Sequence, residues 1–269
     1  MTDCFEHHSG HLLRITKWQE IDTSLKAGFT SRQNGFGHPP YDTFNLGLHV
    51  GDEDDRVLKN RRLLGEELGF SLDRWVVGEQ VHDSLIKTVT ADDKGKGAAE
   101  LQTALQGVDG LITDVSGIML AAFYADCVPL YFFDPVDHRI GIAHAGWKGT
   151  VQEIAGRMIT RFVKNGSVLR NIKVTIGPSI SRQAYEVDET VLKQIPSKWH
   201  ETTVQKTKKG HGLLDLKQLN VEILLKYGVL RHNIDVTEYC TFRDDQLFFS
   251  HRRAEGPTGR MLGYIGYSV

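Results

Sequence analysis

The stretch from Ala125 to Thr150, ADCVPLYFFDPVDHRIGIAHAGWKGT, constrains the fold more than any other part of the chain. Two runs rich in β-branched and aromatic residues, Val128 to Phe133 and Arg139 to Ala143, read as strands with a short turn between them. Closing a hairpin around Pro135, Val136, Asp137 and His138 pairs Asp134 with Arg139. The same register sets Pro129 opposite His144 and Cys127 opposite Gly146, which makes Cys127 and His144 diagonal neighbours on one face. A slip of one residue would separate them.

Further strand-like runs cover Ile118 to Tyr124, Ile172 to Ile176 and Ile234 to Thr237. Helical spacing appears at Val57, Arg61, Leu64 and Leu68, where Asp52 to Asp55 favour a helix start through the macrodipole. A second helix is expected after Trp147, with Val151, Ile154, Ala155, Met158, Ile159 and Phe162 on one face, and a third over roughly Leu216 to Tyr227. The polar stretch from Thr90 to Gln106 reads as a locally mobile surface loop or exposed helix. Because strands come in neighbouring pairs and do not strictly alternate with helices, the expected class is α+β: layered mixed β-sheets flanked by helices, in one domain over 1–269.

The 269 residues are 40% hydrophobic and 25% charged, enough to bury a core without crosslinks. Lys and Arg number 32 against 34 Asp and Glu, so no global positive field draws the chain to nucleic acid or an anionic membrane. A small molecule is the expected partner; the oligomeric state is left open. The N-terminus lacks a signal pattern, no apolar run is long enough to span a bilayer, and the three cysteines, Cys4, Cys127 and Cys240, fit reduced thiols. The expectation is a cytoplasmic protein.

A thiolate beside an imidazole supports two chemistries: a Cys127/His144 nucleophile pair, as in a cysteine hydrolase, or two of the three protein ligands of a catalytic zinc. A small buried cysteine and a satisfied core histidine are the plainer alternative. Spacing alone leaves all three open.

Several ordered blocks carry more. GEQVHD (Gly78 to Asp83), ADCVPLYFFDP and AHAGWKGT resemble the signature of the laccase-domain family, which includes bacterial purine nucleoside phosphorylases. TSRQNG, FNLGLHVGD, GVDGLITD, GPSI, YEV and FFSHRRAEGPTGR extend the resemblance across almost the whole chain. It implies that His82, Cys127 and His144 bind the metal. Asp83, where the family commonly has glycine, and Ser179, where it often has cysteine, depart from the pattern without removing a ligand.

The resemblance further implies phosphorolysis of adenosine, inosine, guanosine and S-methyl-5'-thioadenosine to base and ribose 1-phosphate, with adenosine deamination as a second reaction. One thiolate and two imidazoles suit Zn²⁺, with Cu²⁺ a strong competitor in vitro. The paired His-x-His segments of a multicopper oxidase do not occur among the 12 histidines; His7, His8 and His11 read as part of a loose N-terminal tail. Lys148 in GWKGT and Arg32 are the candidate phosphate cations, and Asn45, Arg252 and Arg253 could contact ribose or phosphate. Asp126 and Glu79 are the candidate carboxylates for moving protons, with Asp126 also expected to turn away from Cys127 in a regular strand. Cys240 reads as buried and inert. A copper-binding phenol oxidase-like or metal-handling protein without nucleoside turnover is the remaining alternative.

Overall fold

A computed structural model describes residues 3–268. Alternation of side chains along each strand builds two six-stranded mixed sheets that stack face to face. The first runs in the order Glu6–Ser9, Leu12–Arg14, Leu25–Thr30, Met261–Tyr267, Met119–Tyr124 and Trp75–Val77. The second runs Ile234–Val236, Lys173–Ile176, Val128–Asp134, Arg139–Ala145, Gly110–Thr113 and Ile86–Thr88. Parallel pairs occur only at their edges: Trp75–Val77 with Met119–Tyr124, and both outer pairs of the second sheet. A small antiparallel sheet of Glu186–Asp188, His211–Leu214 and Val204–Lys206 lies apart.

The layer between the large sheets is filled by Leu120, Ala122, Tyr124, Tyr131, Phe133 and Ile142, every second residue of three strands. Their neighbours Met119, Ala121 and Phe123 face the helix Asp54–Leu68, whereas Val128, Leu130 and Phe132 face the helices Ile154–Lys164 and Leu216–Lys226. The architecture is the expected α+β arrangement of mixed sheets flanked by helices. Phe5 and Tyr267 share the central layer, so the two ends of the chain close one core.

The hairpin register matches the expectation: Asp134 pairs with Arg139 and Pro129 with His144. Three local expectations are corrected. The helix expected after Trp147 is two helices, Trp147–Val151 and Ile154–Lys164, because Glu153 adopts a left-handed backbone with φ 61° while its carboxylate binds Lys226 and the Tyr227 hydroxyl. The N-terminal segment is no loose tail: Glu6–Ser9 and Leu12–Arg14 form a hairpin on the first sheet, with His11 buried against Glu67. The stretch from Thr90 to Gln106 is irregular apart from two short 3₁₀ turns, and it is pinned from below. Arg61, on the buried face of its helix, donates to the carbonyls of Leu46, Gly97 and Ala98 at 2.7–2.9 Å.

No helix among the described residues is long and apolar enough to cross a membrane. Replacing Arg61 with Met strands three buried carbonyls, and chemical denaturation is expected to show a loss of about 2–5 kcal/mol. A loss under about 1 kcal/mol would mean that water replaces the guanidinium there without cost.

Candidate metal centre

The alternation that fills the central layer carries one face of the hairpin to the rim of the sandwich, and that face ends in Cys127 and His144. His144 follows Ile142 on the side facing the layer, with its ring 5.6 Å from that of Tyr124. The third group comes from a loop. Gln80 exchanges two hydrogen bonds with the Phe123 backbone, at 2.8 and 2.7 Å, and so fixes the Gln80–His82 segment at the end of the first sheet. His82 adopts a left-handed conformation, φ 61°, that turns its ring toward His144; the ring centroids are 4.7 Å apart at 81°.

The ligand atoms of His82, Cys127 and His144 lie within 4.8 Å of one another. With zinc–sulfur bonds of about 2.3 Å and zinc–nitrogen bonds of about 2.0–2.1 Å, tetrahedral ligands stand roughly 3.3–3.6 Å apart, so modest contraction seats the ion. Gly146 keeps the space clear. A Cβ there would stand 3.0 Å from His82 Cδ2 and 3.1 Å from Cys127 Sγ. The donor set and the room around it fit a metal.

Asp109, to which the sequence reading assigned no role, organises the triad. Its buried carboxylate accepts the backbone N–H groups of Val81, His82 and Asp83 at 2.9–3.1 Å and faces His144 Nδ1 at 2.8 Å. One carboxylate thus shapes the turn that presents His82 and commits Nδ1 of His144, which leaves Nε2 for the metal. Burial raises the Asp109 pKa, but His144 and the backbone donors outweigh it and hold the carboxyl below its usual range. Its signal in the sequence is an acid between glycines at the start of a buried strand, which spacing analysis does not distinguish from a turn residue.

The same surroundings set the charge state of the metal-free pair. Burial works against the Cys127 thiolate, yet the imidazoles of His144 and His82 bring its pKa down to about 6. Burial works against the His144 cation too, and Cys127 and Asp109 override it, raising His144 to about 9.

A cleft of about 240 Å³ reaches two members of the triad, His82 and Cys127, with Asp126 beside them and Trp147, Tyr185 and Leu216 also in its lining, while His144 lies buried behind. His251 and Arg252 stand at its edge. A wider surface cleft of 690 Å³ around Arg182 and Arg243 holds no comparable ligand triad.

The other candidate residues are spread more widely. Asp126 lines the cleft, but its carboxylate accepts Thr241 Oγ1 at 2.6 Å, Ser250 Oγ at 3.0 Å and the Arg252 amide at 2.7 Å. It anchors the turn before Cys127, where its own φ is 89°. Asn45 is fully buried, and its amide side chain binds the Gly47 and Arg260 N–H groups and Asp52. That is a brace for a turn, and no face remains for ribose. Arg32 occupies a different cleft, stacked 4.6 Å over Phe249 and paired with Asp42 at 3.0 Å, because that carboxylate and the neighbouring carbonyl claim its guanidinium. Lys148 is exposed, with Nζ 5.8 Å over the Trp147 ring. Glu79 accepts the Gly107 N–H. Arg253 spends its guanidinium on the carbonyls of Thr241, Phe242 and Phe248. Cys240 is buried, as expected.

Comparison with known proteins places these features in a family. The family model "Multi-copper polyphenol oxidoreductase laccase" matches residues 26–268. "Purine nucleoside phosphorylase YlmD" of Bacillus subtilis is 41% identical over 261 residues, covering 94% of each chain. The protein of the same name from Geobacillus stearothermophilus is 45% identical over 249 residues, covering 89% of each. The crystal structure of YlmD from Geobacillus stearothermophilus superposes with a TM-score of 0.94 at 41% identity over 100% of both chains.

Asp109→Asn removes one carboxylate oxygen and turns an NH₂ toward backbone donors; zinc affinity by competition with a chromogenic chelator is expected to fall about 10–100-fold. Unchanged affinity would show that the triad orients itself. In chelator-treated protein, alkylation of Cys127 is expected to rise with pH through about 6 and level off by neutrality, because the thiolate is the reactive form and its pKa is depressed. A rate still climbing above pH 8 would contradict the paired state, and added zinc should protect the thiol.

Proposed function

The chain belongs to the multi-copper polyphenol oxidoreductase laccase family, and from that membership and its triad we propose that it is a zinc-dependent purine nucleoside phosphorylase. The observation that carries the reading is a convergent His82, Cys127 and His144 in a chain related along nearly its full length to proteins named as purine nucleoside phosphorylases. Adenosine, inosine, guanosine and S-methyl-5'-thioadenosine are the proposed nucleosides, phosphate is the co-substrate, and adenosine deamination is a second reaction. The setting we propose is the cytoplasm.

His82, Cys127 and His144 would hold the zinc ion, which when bound would supply Lewis acidity in the cleft. The aromatic side chains of Trp147 and Tyr185 in the lining suit a purine ring, and stacking against them would orient the glycosidic bond in the cleft. In phosphorolysis a phosphate oxygen bonds to C1′ of the ribose as the bond from C1′ to the base breaks. The electron pair leaves with the base, which takes up a proton. Asp126 and Asp109 are both committed to fixed donors and act by positioning, which leaves His251 as the cleft imidazole outside the triad for proton movement.

The copper oxidase suggested by the family's description needs several copper centres. Among the described residues one cluster of metal-capable side chains converges, and its thiolate and imidazoles suit zinc. The contact between Cys127 and His144 also fits a cysteine nucleophile with its base. Metal dependence separates that reading from the phosphorylase, because a hydrolase of this kind works without an ion.

Incubating the purified protein with inosine and phosphate is expected to yield hypoxanthine and ribose 1-phosphate in equal amounts, seen by chromatography and phosphorus NMR. His82→Ala, His144→Ala and Cys127→Ser should each lose zinc and turnover together. Full turnover in zinc-free protein, or no ribose 1-phosphate from any purine nucleoside, would refute the proposal.

A further inference from the structure

Arg252 is the arginine that lines the cleft, and it is both anchored and left with donors to give. Arg253, the next residue, is spent on three carbonyls. Arg32 is held by Asp42 in another cleft, and Arg260, whose Nη1 donates to the carbonyls of Thr258 and Gly259 while Nε and Nη2 stay unpaired among the described residues, is not among the residues that line this cleft. Arg252 donates only through Nη1, to the carbonyls of Ala184 at 3.3 Å and Glu186 at 3.1 Å. Its guanidinium lies 5.1 Å over the Tyr185 ring. Its backbone N–H is held at 2.7 Å by Asp126, the residue before Cys127.

These anchors leave Nε and Nη2 without a protein acceptor, and no carboxylate among the described residues pairs with the side chain. Those two nitrogens form one edge of the guanidinium, the side-on fork that matches two oxygens of a tetrahedral oxyanion. Lys148, exposed beside Trp147 and not among the residues that line the cleft, offers a point charge with no such fork. We propose that Arg252 is the oxyanion clamp of the cleft and binds inorganic phosphate through Nε and Nη2. The inference rests on the phosphorylase reading for the identity of the anion, while the fork itself does not.

The clamp and the reaction are tested separately with zinc-loaded protein. Titrating inorganic phosphate alone is expected to raise the melting temperature of the wild-type protein, and Arg252→Met should abolish the rise while keeping zinc and secondary structure. In phosphorolysis of inosine, Arg252→Met should raise KM for phosphate roughly 10–100-fold with little change in KM for inosine. Arg252→Lys should recover part of the loss, since it restores charge without the fork, and it decides the point if the methionine variant does not fold. Lys148→Met should raise the phosphate KM less than Arg252→Met.

An unchanged phosphate KM in Arg252→Met, or an equal rise in both KM values with zinc loss, would overturn the clamp. If inosine 5'-monophosphate, and not inorganic phosphate, stabilises the protein through Arg252, the anion is a phosphate ester and the inference as stated fails. If phosphate stabilises the wild type through Arg252 but no ribose 1-phosphate forms, the clamp stands and the phosphorylase reading falls.

Discussion

The carboxylate of Asp109 is the interaction on which the site depends. It collects three backbone N–H groups from the His82 turn and the Nδ1 of His144, so the two imidazoles of the triad answer to one buried group. A buried carboxylate is costly unless its oxygens are fully engaged, and four donors provide that engagement. Because Asp109 immediately precedes Gly110–Thr113, which pairs with Arg139–Ala145, the sheet that positions His144 also positions its orienting acid. The candidate metal site is therefore tied to the register of the second sheet through His144, with Cys127 in the bend just before Val128–Asp134 and His82 on a loop.

The rim of the sandwich adds a second level of order. Asp126 ties the turn before Cys127 to Thr241, to Ser250 and to the Arg252 amide, so one carboxylate links the backbone that carries the Cys127 thiol to the backbone that carries Arg252. A shift in the C-terminal segment around Ser250 would be felt at Cys127 through this bridge. The cleft thus sets the aromatic side chains of Trp147 and Tyr185 and the guanidinium of Arg252 beside two members of a triad that could hold a metal.

Much of this was legible in the chain. The hairpin of Val128–Asp134 and Arg139–Ala145 had one register compatible with its four-residue turn, and that register alone brought Cys127 toward His144. The helix Asp54–Leu68 followed from its spacing, which set Arg61 in line with Val57, Leu64 and Leu68, while the carbonyls it binds emerge only in the fold. What escaped had its cause far away in sequence. The break at Glu153 depends on Lys226 and Tyr227, and both sides of the break keep apolar spacing. The N-terminal hairpin shows a run of histidines outward, while Phe5 and Leu13 bury quietly beneath. His82 was identified through resemblance, because nothing local reveals that its turn closes on Asp109. Arg32 and Asn45 looked available as single letters and are consumed by Asp42, Asp52 and backbone groups once the loops fold.

The most direct test of the account is anomalous scattering at the zinc edge from crystals of protein purified without chelator. The account predicts one strong peak with Cys127 Sγ at about 2.3 Å and imidazole nitrogens of His82 and His144 at about 2.0–2.1 Å, with His144 Nδ1 still on Asp109. A peak whose ligands omit Cys127 or either histidine, or no peak in protein that phosphorolyses nucleosides, would contradict it.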